Sequence, residues 1–257
     1  MKKFCLIGQN VQNSLSPQIH KYIFNKFNLD ADYQLIDIQD SYQLNIILNE
    51  LKSNKFSGIN VTNPYKVTLY PCMDVVSKSC ALIKAVNCID YRKKKIKGYN
   101  TDWIGFFKMM EVSDFNLTNK KIKIIGNGGA YNAVSYALSV MGCSNIELYN
   151  RENIDNILNQ KFDERSVVIN CTPKHFLNDE INFIDHFIMG EYLWIDLLYT
   201  KLSTKKLELI NQKDKKMYIN GLDMLIFQAL ASIEIWFSKN IISNVDLDDL
   251  KKELNVN

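Results

Sequence analysis

Short apolar runs alternate along the chain with stretches in which apolar residues recur every three or four positions. A short apolar run predicts a buried strand, whereas the three-or-four spacing predicts a helix with one buried face. In the first part of the chain this pattern predicts strands at residues 3–8, 33–38 and 56–61 and helices at 16–27, at 41–53 and beginning at 67–70. Their alternation predicts an α/β domain with a mainly parallel sheet.

Two local signals refine this first domain. Ser16 and Pro17 predict the N-cap and the first turn of the helix at 16–27. Residues 86–91 and 95–99 predict a β-hairpin whose tip carries the basic run that starts at Arg92. We interpret this run as a solvated hairpin tip and predict no nucleic-acid partner, because no second basic cluster or aromatic platform accompanies it.

The same alternation restarts in the middle of the chain. Strands are predicted at 121–125, 145–149, 166–170 and 193–197, a glycine-rich turn at 126–129, and helices at 130–141 and 224–237. This order is typical of a Rossmann-like dinucleotide-binding domain. We therefore predict two domains, one at 1–101 that is completed by C-terminal helices at 221–257, and a dinucleotide-binding domain at 102–220.

Composition narrows the class of protein. Of 257 residues, 47% are hydrophobic, which is ample for a buried core, and the net charge of +3 indicates no particular charged partner. No stretch reaches the ~20 apolar residues of a membrane helix, and the first apolar stretch is too short for a signal peptide. The six cysteines include no Cys-x-x-Cys pair and the three histidines form no cluster. We therefore expect a cytoplasmic location, no membrane association and no metal site.

The glycine-rich turn is a candidate nucleotide site. Its residues are Gly126, Asn127, Gly128, Gly129 and Ala130. Gly126 would allow the tight turn, and Gly128 would let backbone N–H groups approach a pyrophosphate at the helix N-terminus. Tyr131 replaces the third glycine of the usual pattern, and such glycines also serve turns alone. The preceding strand nevertheless favours dinucleotide binding.

Asn150 and Arg151 follow the second strand of this domain. An acidic residue here would favour NAD by binding the ribose 2′-hydroxyl, whereas an arginine suits the 2′-phosphate of NADP. We therefore predict NADP as the cofactor. Glu152 and Asp155 would repel that phosphate, and Arg151 as an ordinary surface charge remains an alternative.

Lys66 and Asp102 are the candidate catalytic residues, because each lies in a polar motif that no structural requirement explains. Asn60 and Thr62 precede Lys66 at a predicted strand end, where the active sites of α/β proteins lie. A lysine can act as an acid or base if its surroundings adjust its pKa, and a carboxylate can orient it. With a nicotinamide cofactor, such a pair would oxidise an alcohol or reduce a ketone. An ordinary surface lysine is the alternative.

These motifs resemble those of the shikimate dehydrogenase family. Residues 60–66 are similar to the signature N-V-T-x-P-x-K, and residues 100–106 to N-T-D-x-x-G-F. Further similar motifs occur in order along most of the chain, at 14–20 (S-x-S-P-x-x-H), 85–87 (A-V-N), 126–130 (G-x-G-G-A), 150–151 (N-R), 170–173 (N-x-T-P), 196–199 (D-x-x-Y) and 221–229 (G-x-x-M-L-x-x-Q-A). So many ordered motifs make the resemblance specific.

The resemblance implies a reversible, NADPH-dependent reduction of 3-dehydroshikimate to shikimate in chorismate and aromatic amino acid biosynthesis. Lys66 and Asp102 would handle the proton of the reacting hydroxyl. The substrate would be bound by Ser14, Ser16, Thr62, Asn87, Asp102, Tyr199 and Gln228. NADP would be bound by Gly126, Asn127, Gly128, Gly129, Ala130, Asn150, Arg151, Thr172, Leu197 and Gly221. The first domain would be the substrate domain, in a monomer or homodimer.

The chain departs from the family pattern at several positions, mostly on the cofactor side. Lys84 replaces a glycine, Asn127 an alanine, and Cys88 and Glu152 each a threonine. These departures bear on NADP preference more than on the identity of the substrate.

Two other functions fit parts of the pattern. A quinate/shikimate dehydrogenase that uses NAD would share the fold, but Ser14 favours shikimate, because quinate users tend to alter the carboxylate-binding region. A catalytically idle regulator that binds a metabolite would not need Lys66 and Asp102, and no DNA-binding module is predicted.

Overall fold

The computed structural model of the protein describes residues 1–158, 162–163, 165–172, 192–199 and 218–254. It divides into two units, Met1–Gly105 with Leu225–Asn257, and Phe106–Met224. Each unit has its own β-sheet, and most strand pairings in the two sheets are parallel. The predicted α/β fold class with two sheet-based domains is therefore confirmed.

The first unit contains a six-stranded sheet in the order β2-β1-β3-β5-β6-β4. Its strands are β1 (Lys2–Gly8), β2 (Ala31–Asp37), β3 (Gly58–Val61), β4 (Val75–Val76), β5 (Cys88–Arg92) and β6 (Lys95–Tyr99). Strand β1 is parallel to β2 and β3, whereas β5 is antiparallel to both of its neighbours, β3 and β6. The carboxyl ends of β1, β3 and β6 and the amino end of β5 therefore lie at one edge, called here the carboxyl edge.

Four helices of the first unit connect these strands. They are α1 (Ser16–Lys26), α2 (Ser41–Lys52), α3 (Tyr65–Leu69) and α4 (Lys78–Ile83). Helix α2 begins after Asp40, whose carboxylate accepts a hydrogen bond from Gln43 N at 3.0 Å. Its apolar face, with Leu44, Leu48 and Leu51, packs into the core over the sheet.

Helix α1 begins at Ser16, so the prediction of Ser16 as its N-cap is wrong. The N-cap is Leu15, which forms no side-chain cap. Ser14 is extended, and its Oγ accepts a hydrogen bond from Ser16 N at 3.2 Å. The hydroxyl that binds the first N–H of the helix therefore comes from two residues upstream. Pro17 lies in the first turn, as predicted.

Three further helices are α5 (Asp102–Ser113), α8 (Leu222–Phe237) and α9 (Leu247–Glu253). Two more, α6 (Gly129–Val140) and α7 (Asp155–Leu158), belong to the second unit. Helix α8 packs on the first sheet through Trp236, whose Nε1 donates to Ile89 O at 3.2 Å. Trp236 also stacks on Phe4, with ring centroids 4.4 Å apart. A Cβ at Gly58 would overlap the indole, so glycine is required where β3 begins. Helix α8 therefore completes the core of the first unit.

The second unit contains a five-stranded parallel sheet in the order β8-β7-β9-β10-β11. Its elements are β7 (Lys121–Ile125), α6 (Gly129–Val140), β8 (Ile146–Tyr149), α7 (Asp155–Leu158), β9 (Ser166–Asn170), β10 (Leu193–Asp196) and β11 (Tyr218–Asn220). The chain passes from β7 to β8 on one side and then to β9 on the other. The carboxyl end of β7 is thus the switch point at which α/β sheets bind ligands.

Most predicted elements are present within a few residues of their expected bounds. The hairpin is formed by β5 and β6, and Lys93 and Lys94 at its tip have φ of 54° and 58°. Strands β4 and β11 and helices α4 and α7 were not predicted, because each is too short for a periodic pattern. Within the described residues, no helix is both long and apolar enough to cross a membrane.

Candidate active site

Lys66 and Asp102 form an ion pair at the carboxyl edge of the first sheet. Lys66 lies in α3, directly after β3, and Asp102 is the first residue of α5, directly after β6. Lys66 Nζ lies 2.7 Å from Asp102 Oδ2, and the side chains are 17% and 6% exposed. The pair is therefore largely shielded from water, although the lysine remains accessible.

Asn87 holds the other oxygen of the Asp102 carboxylate. Its Nδ2 donates to Asp102 Oδ1 at 2.8 Å, and its Oδ1 accepts from Thr101 N at 2.6 Å. Asp102 thus contacts a neutral donor through one oxygen and the ammonium of Lys66 through the other. Its position in the first turn of α5 also favours a negative charge, because a helix N-terminus is partially positive.

Gln228 approaches this group from helix α8. Its Nε2 donates to Leu225 O at 2.7 Å, and its Oε1 lies 3.4 Å from Asn87 Nδ2. Four predicted site residues, Lys66, Asn87, Asp102 and Gln228, are therefore joined by direct contacts within the first unit.

Ser14, Ser16 and Thr62 lie after β1 and β3 at the same carboxyl edge. Ser14 Oγ donates to Ser16 Oγ at 3.1 Å. A Cβ at Gly8 would overlap Thr62 Cγ2, so glycine lets the ends of the two strands approach. Tyr199 belongs to the second unit, where it follows β10 and is half-buried.

Three buried residues beside this group were not among the predicted site residues. Asn60, at 4% exposure, donates from Nδ2 to Asn87 O at 3.0 Å and to Ser232 Oγ at 2.9 Å. Thr101 and Ser232 are fully buried, and their hydroxyl oxygens lie 3.1 Å apart. Ser232 could have been found in the sequence as a polar residue one turn after Gln228 in a largely apolar helix.

The glycine turn of the second unit follows β7 at the switch point. Gly126 has φ of +103°, and a Cβ there would lie 3.1 Å from Thr172 Cγ2 and 3.2 Å from Cys171 C, so glycine is required. A Cβ at Gly128 would meet no atom within 4 Å. Helix α6 starts there without a side-chain cap. The open space at Gly128 and the uncapped N–H groups fit a pyrophosphate.

Asn150 and Arg151 follow β8, next to this turn. Gly126 N donates to Tyr149 O at 2.8 Å, which joins the ends of β7 and β8. Asn150 Oδ1 accepts from Glu152 N at 2.8 Å, and this bond fixes the turn. Arg151 and Glu152 are both exposed, so a cationic and an anionic side chain stand side by side.

Thr172, Leu197 and Gly221 lie after β9, β10 and β11, at the same edge of this sheet as Gly126. Asn170 Oδ1 accepts from Thr172 Oγ1 at 2.6 Å and from Thr172 N at 3.0 Å. Asn170 Nδ2 donates to Asp196 Oδ1 at 3.0 Å. A Cβ at Gly221 would overlap Leu197 O, so glycine is required.

Pro173, the last residue of the predicted N-x-T-P motif, lies outside the described residues. Within the described part of the chain, no three histidine, cysteine or acidic side chains come together as a metal site would require.

Residues 6–89 match the model of the shikimate dehydrogenase substrate binding domain. The shikimate dehydrogenase (NADP(+)) of Caldicellulosiruptor bescii is 32% identical in an alignment of 259 positions that covers 92% of this chain and 90% of that protein. The chain belongs to the shikimate dehydrogenase family.

The chain is also similar to other shikimate dehydrogenases, in sequence and in structure. The shikimate dehydrogenase (NADP(+)) of Saccharolobus islandicus strain L.S.2.15 is 33% identical in an alignment of 258 positions that covers 93% of this chain and 91% of that protein. The crystal structure of shikimate dehydrogenase 1 from Peptoclostridium difficile has a TM-score of 0.83 at 29% identity, covering 99% of this chain and 97% of that one. The resemblance predicted from the motifs, and the oxidoreductase class, are confirmed.

The matched shikimate dehydrogenase substrate binding domain contains five of the predicted site residues, namely Ser14, Ser16, Thr62, Lys66 and Asn87. Asp102 and Gln228 lie outside it in sequence, but both contact Asn87 in the first unit. The residues matched by the family model and the residues that contact Asn87 therefore lie in the same unit.

Proposed function

We propose that this protein catalyses the reversible, NADPH-dependent reduction of 3-dehydroshikimate to shikimate. The observation that carries this proposal is the shielded ion pair between Lys66 Nζ and Asp102 Oδ2, at 2.7 Å, in the unit that contains the family's substrate binding domain. An ordinary surface lysine is solvated, whereas Lys66 is paired with a buried carboxylate that Asn87 holds in place.

Lys66 is the proposed proton carrier. In the reductive direction its ammonium donates a proton to the oxygen of the forming alkoxide, and in the oxidative direction its amine accepts the proton of the hydroxyl. Positioned acid–base catalysis of this kind is worth about 10²–10⁴ in rate. Asp102 orients the ammonium and accepts a hydrogen bond from the substrate hydroxyl, since a carboxylate can accept several such bonds.

The remaining predicted substrate residues suit the rest of the molecule. Ser14 and Ser16 supply neutral hydroxyl donors for the carboxylate of the substrate. Thr62, Asn87 and Gln228 supply donors and acceptors for its ring hydroxyls. Tyr199, which belongs to the second unit, is proposed as a further donor for the carboxylate.

The second unit is the proposed NADP-binding domain, and relatives at 32–33% identity are named as NADP(+) enzymes. The bound cofactor supplies or accepts the hydride. The backbone of residues 126–130 would hold the pyrophosphate, and Asn150 and Arg151 the 2′-phosphate. Thr172, Leu197 and Gly221 complete the proposed cofactor set.

The first unit is the substrate domain. The enzyme acts in the cytoplasm on a small-molecule substrate, in the biosynthesis of chorismate and aromatic amino acids. It is a monomer or a homodimer.

Absorbance of the reduced nicotinamide tests the proposal, with shikimate and quinate each assayed against NADP and NAD. We expect turnover of shikimate with NADP. A clear preference for NAD or quinate would assign the protein to the broader quinate/shikimate enzymes. Binding of shikimate without any turnover would overturn the catalytic proposal in favour of a metabolite-binding regulator.

A further inference from the structure

A buried polar network lies next to the catalytic pair. It consists of Tyr33 on β2, Asn60 on β3, Thr101 before α5 and Ser232 on α8, and we call it the Asn60 network. Thr101 and Ser232 are fully buried, and Asn60 and Tyr33 are 4% and 8% exposed. Burial of so many polar groups is costly unless each finds a partner, so their hydrogen bonds define the arrangement.

Asn60 is the centre of this network, and its amide can take only one orientation. The Asn87 carbonyl oxygen accepts hydrogen bonds but cannot donate, so the Asn60 atom 3.0 Å from it must be Nδ2. Asn60 Oδ1 therefore faces Tyr33, whose hydroxyl donates to it at 2.8 Å. Both ends of the amide are thus satisfied by groups from neighbouring chain segments.

Ser232 connects Asn60 to the helix that carries Gln228. Ser232 Oγ accepts from Asn60 Nδ2 at 2.9 Å and donates to Gln228 O, also at 2.9 Å. The single hydroxyl proton of Ser232 is used in the bond to Gln228 O. Ser232 Oγ therefore acts as the acceptor for the hydroxyl of Thr101, whose Oγ1 lies 3.1 Å away. One hydroxyl therefore links α8 to β3 and to the segment before α5.

Thr101 fixes the orientation of Asn87 in turn. Thr101 N can only donate, so the Asn87 atom that it meets at 2.6 Å is Oδ1. Asn87 Nδ2 must then point to Asp102 Oδ1, at 2.8 Å. This leaves Asp102 Oδ2 for Lys66.

We propose that the Asn60 network positions Asn87, Asp102 and Gln228 for the reaction. Its four members are positioning residues that act through the groups they hold, and none of them needs to touch the substrate. This inference rests on the proposed function, because it assigns the network a role in binding and converting shikimate.

Two nearly isosteric variants test it, Ser232→Ala and Tyr33→Phe, each of which removes one hydroxyl next to Asn60. Loss of one buried hydrogen bond should lower kcat/KM for shikimate about tenfold in each variant, with the KM for NADP within about twofold of wild type. Because both variants act through Asn60, the double variant should lose less than the product of the two single effects. Ser135→Ala is the matched control, since Ser135 lies on α6 in the second unit and its buried Oγ has no partner among the described residues.

Three outcomes would overturn the inference. The first is wild-type kinetics for shikimate in both variants. The second is a lower Tm without a change in kcat/KM, which would indicate a purely structural role. The third is an equal rise in the KM of both substrates, as a general disturbance would produce.

An error in the proposed function itself can be distinguished from an error in the proposed role of the Asn60 network. If the wild type binds shikimate by calorimetry but does not turn it over, the proposed reaction is wrong, while weaker shikimate binding in both variants still supports the positioning role. If the wild type does not bind shikimate at all, both proposals are wrong.

Discussion

The ion pair between Lys66 and Asp102 joins the ends of two strands that are not neighbours in the sheet. Lys66 follows β3 and Asp102 follows β6, and strand β5 lies between them. The pair forms above the amino end of β5, where Asn87 supplies the donor to Asp102. The antiparallel β5 thus brings a third polar side chain to an edge otherwise made of strand carboxyl ends.

Replacing Lys66 by Met should abolish most turnover while binding remains. We expect kcat to fall by about 10²–10⁴-fold, because the proton carrier is lost. Calorimetry with shikimate should show a much smaller change in Kd. Lys108→Met is the matched control, since Lys108 is a partly exposed lysine paired with Glu111 on α5. Wild-type turnover by Lys66→Met would contradict the catalytic role.

Arg151 and Glu152 should act in opposite directions on the choice of cofactor. Arg151→Ala should lower the ratio of kcat/KM for NADP to that for NAD by about 10–100-fold, the worth of a hydrogen bond to a charged group. Glu152→Thr should raise the same ratio, because it removes a negative charge beside the proposed 2′-phosphate. Each variant controls for the other, and a shift in the same direction for both would contradict this account.

Lys84→Gly should stabilise the protein. Lys84 ends α4 with φ of 56° and ψ of 32°, a left-handed conformation that costs a residue with a Cβ roughly 1–2 kcal/mol. Glycine avoids this cost but loses more chain entropy, so we expect a net gain of up to about 1 kcal/mol in the free energy of unfolding. Urea denaturation measures it. Lys84→Ala keeps the Cβ and should give no such gain; equal gains in both variants would contradict the explanation.

Stability should depend on His20 between pH 6.5 and pH 5. His20 is fully buried, and burial lowers its pKa to about 3, although its Nδ1 lies 2.7 Å from Ser16 O. In the unfolded chain it takes up a proton near pH 6.5. The unfolded state then binds more protons than the folded state, so stability falls as the pH is lowered through this range, by roughly 1.5 kcal/mol.

Urea denaturation at several pH values measures this loss. In His20→Asn the side chain cannot ionise but keeps an N–H donor for Ser16 O. The pH dependence between 6.5 and 5 should therefore be weaker in that variant than in the wild type. An identical dependence in the two proteins would mean that His20 does not contribute it.

The sequence predicts most of the fold because its strands and longer helices have clear apolar periods. It also predicts Lys66 and Asp102, since their motifs are unusual in composition. The hydrogen bonds of Ser232 and Thr101 could not be read from the chain, because they depend on how α8 packs on the sheet. Lys84 illustrates the same limit: its departure from the family glycine is visible in the sequence, but its left-handed conformation is a property of the folded chain.

The packing of Trp236 against Gly58 and Phe4 has a consequence for synthesis on the ribosome. Residues 225–257 belong to the first unit, so its core is completed only after the whole second unit has been translated. Until then the apolar surface around Phe4 is not covered by Trp236 and remains exposed to solvent. Nascent chains that stall before residue 225 should therefore be prone to aggregation and should depend on chaperones more than chains interrupted after α8.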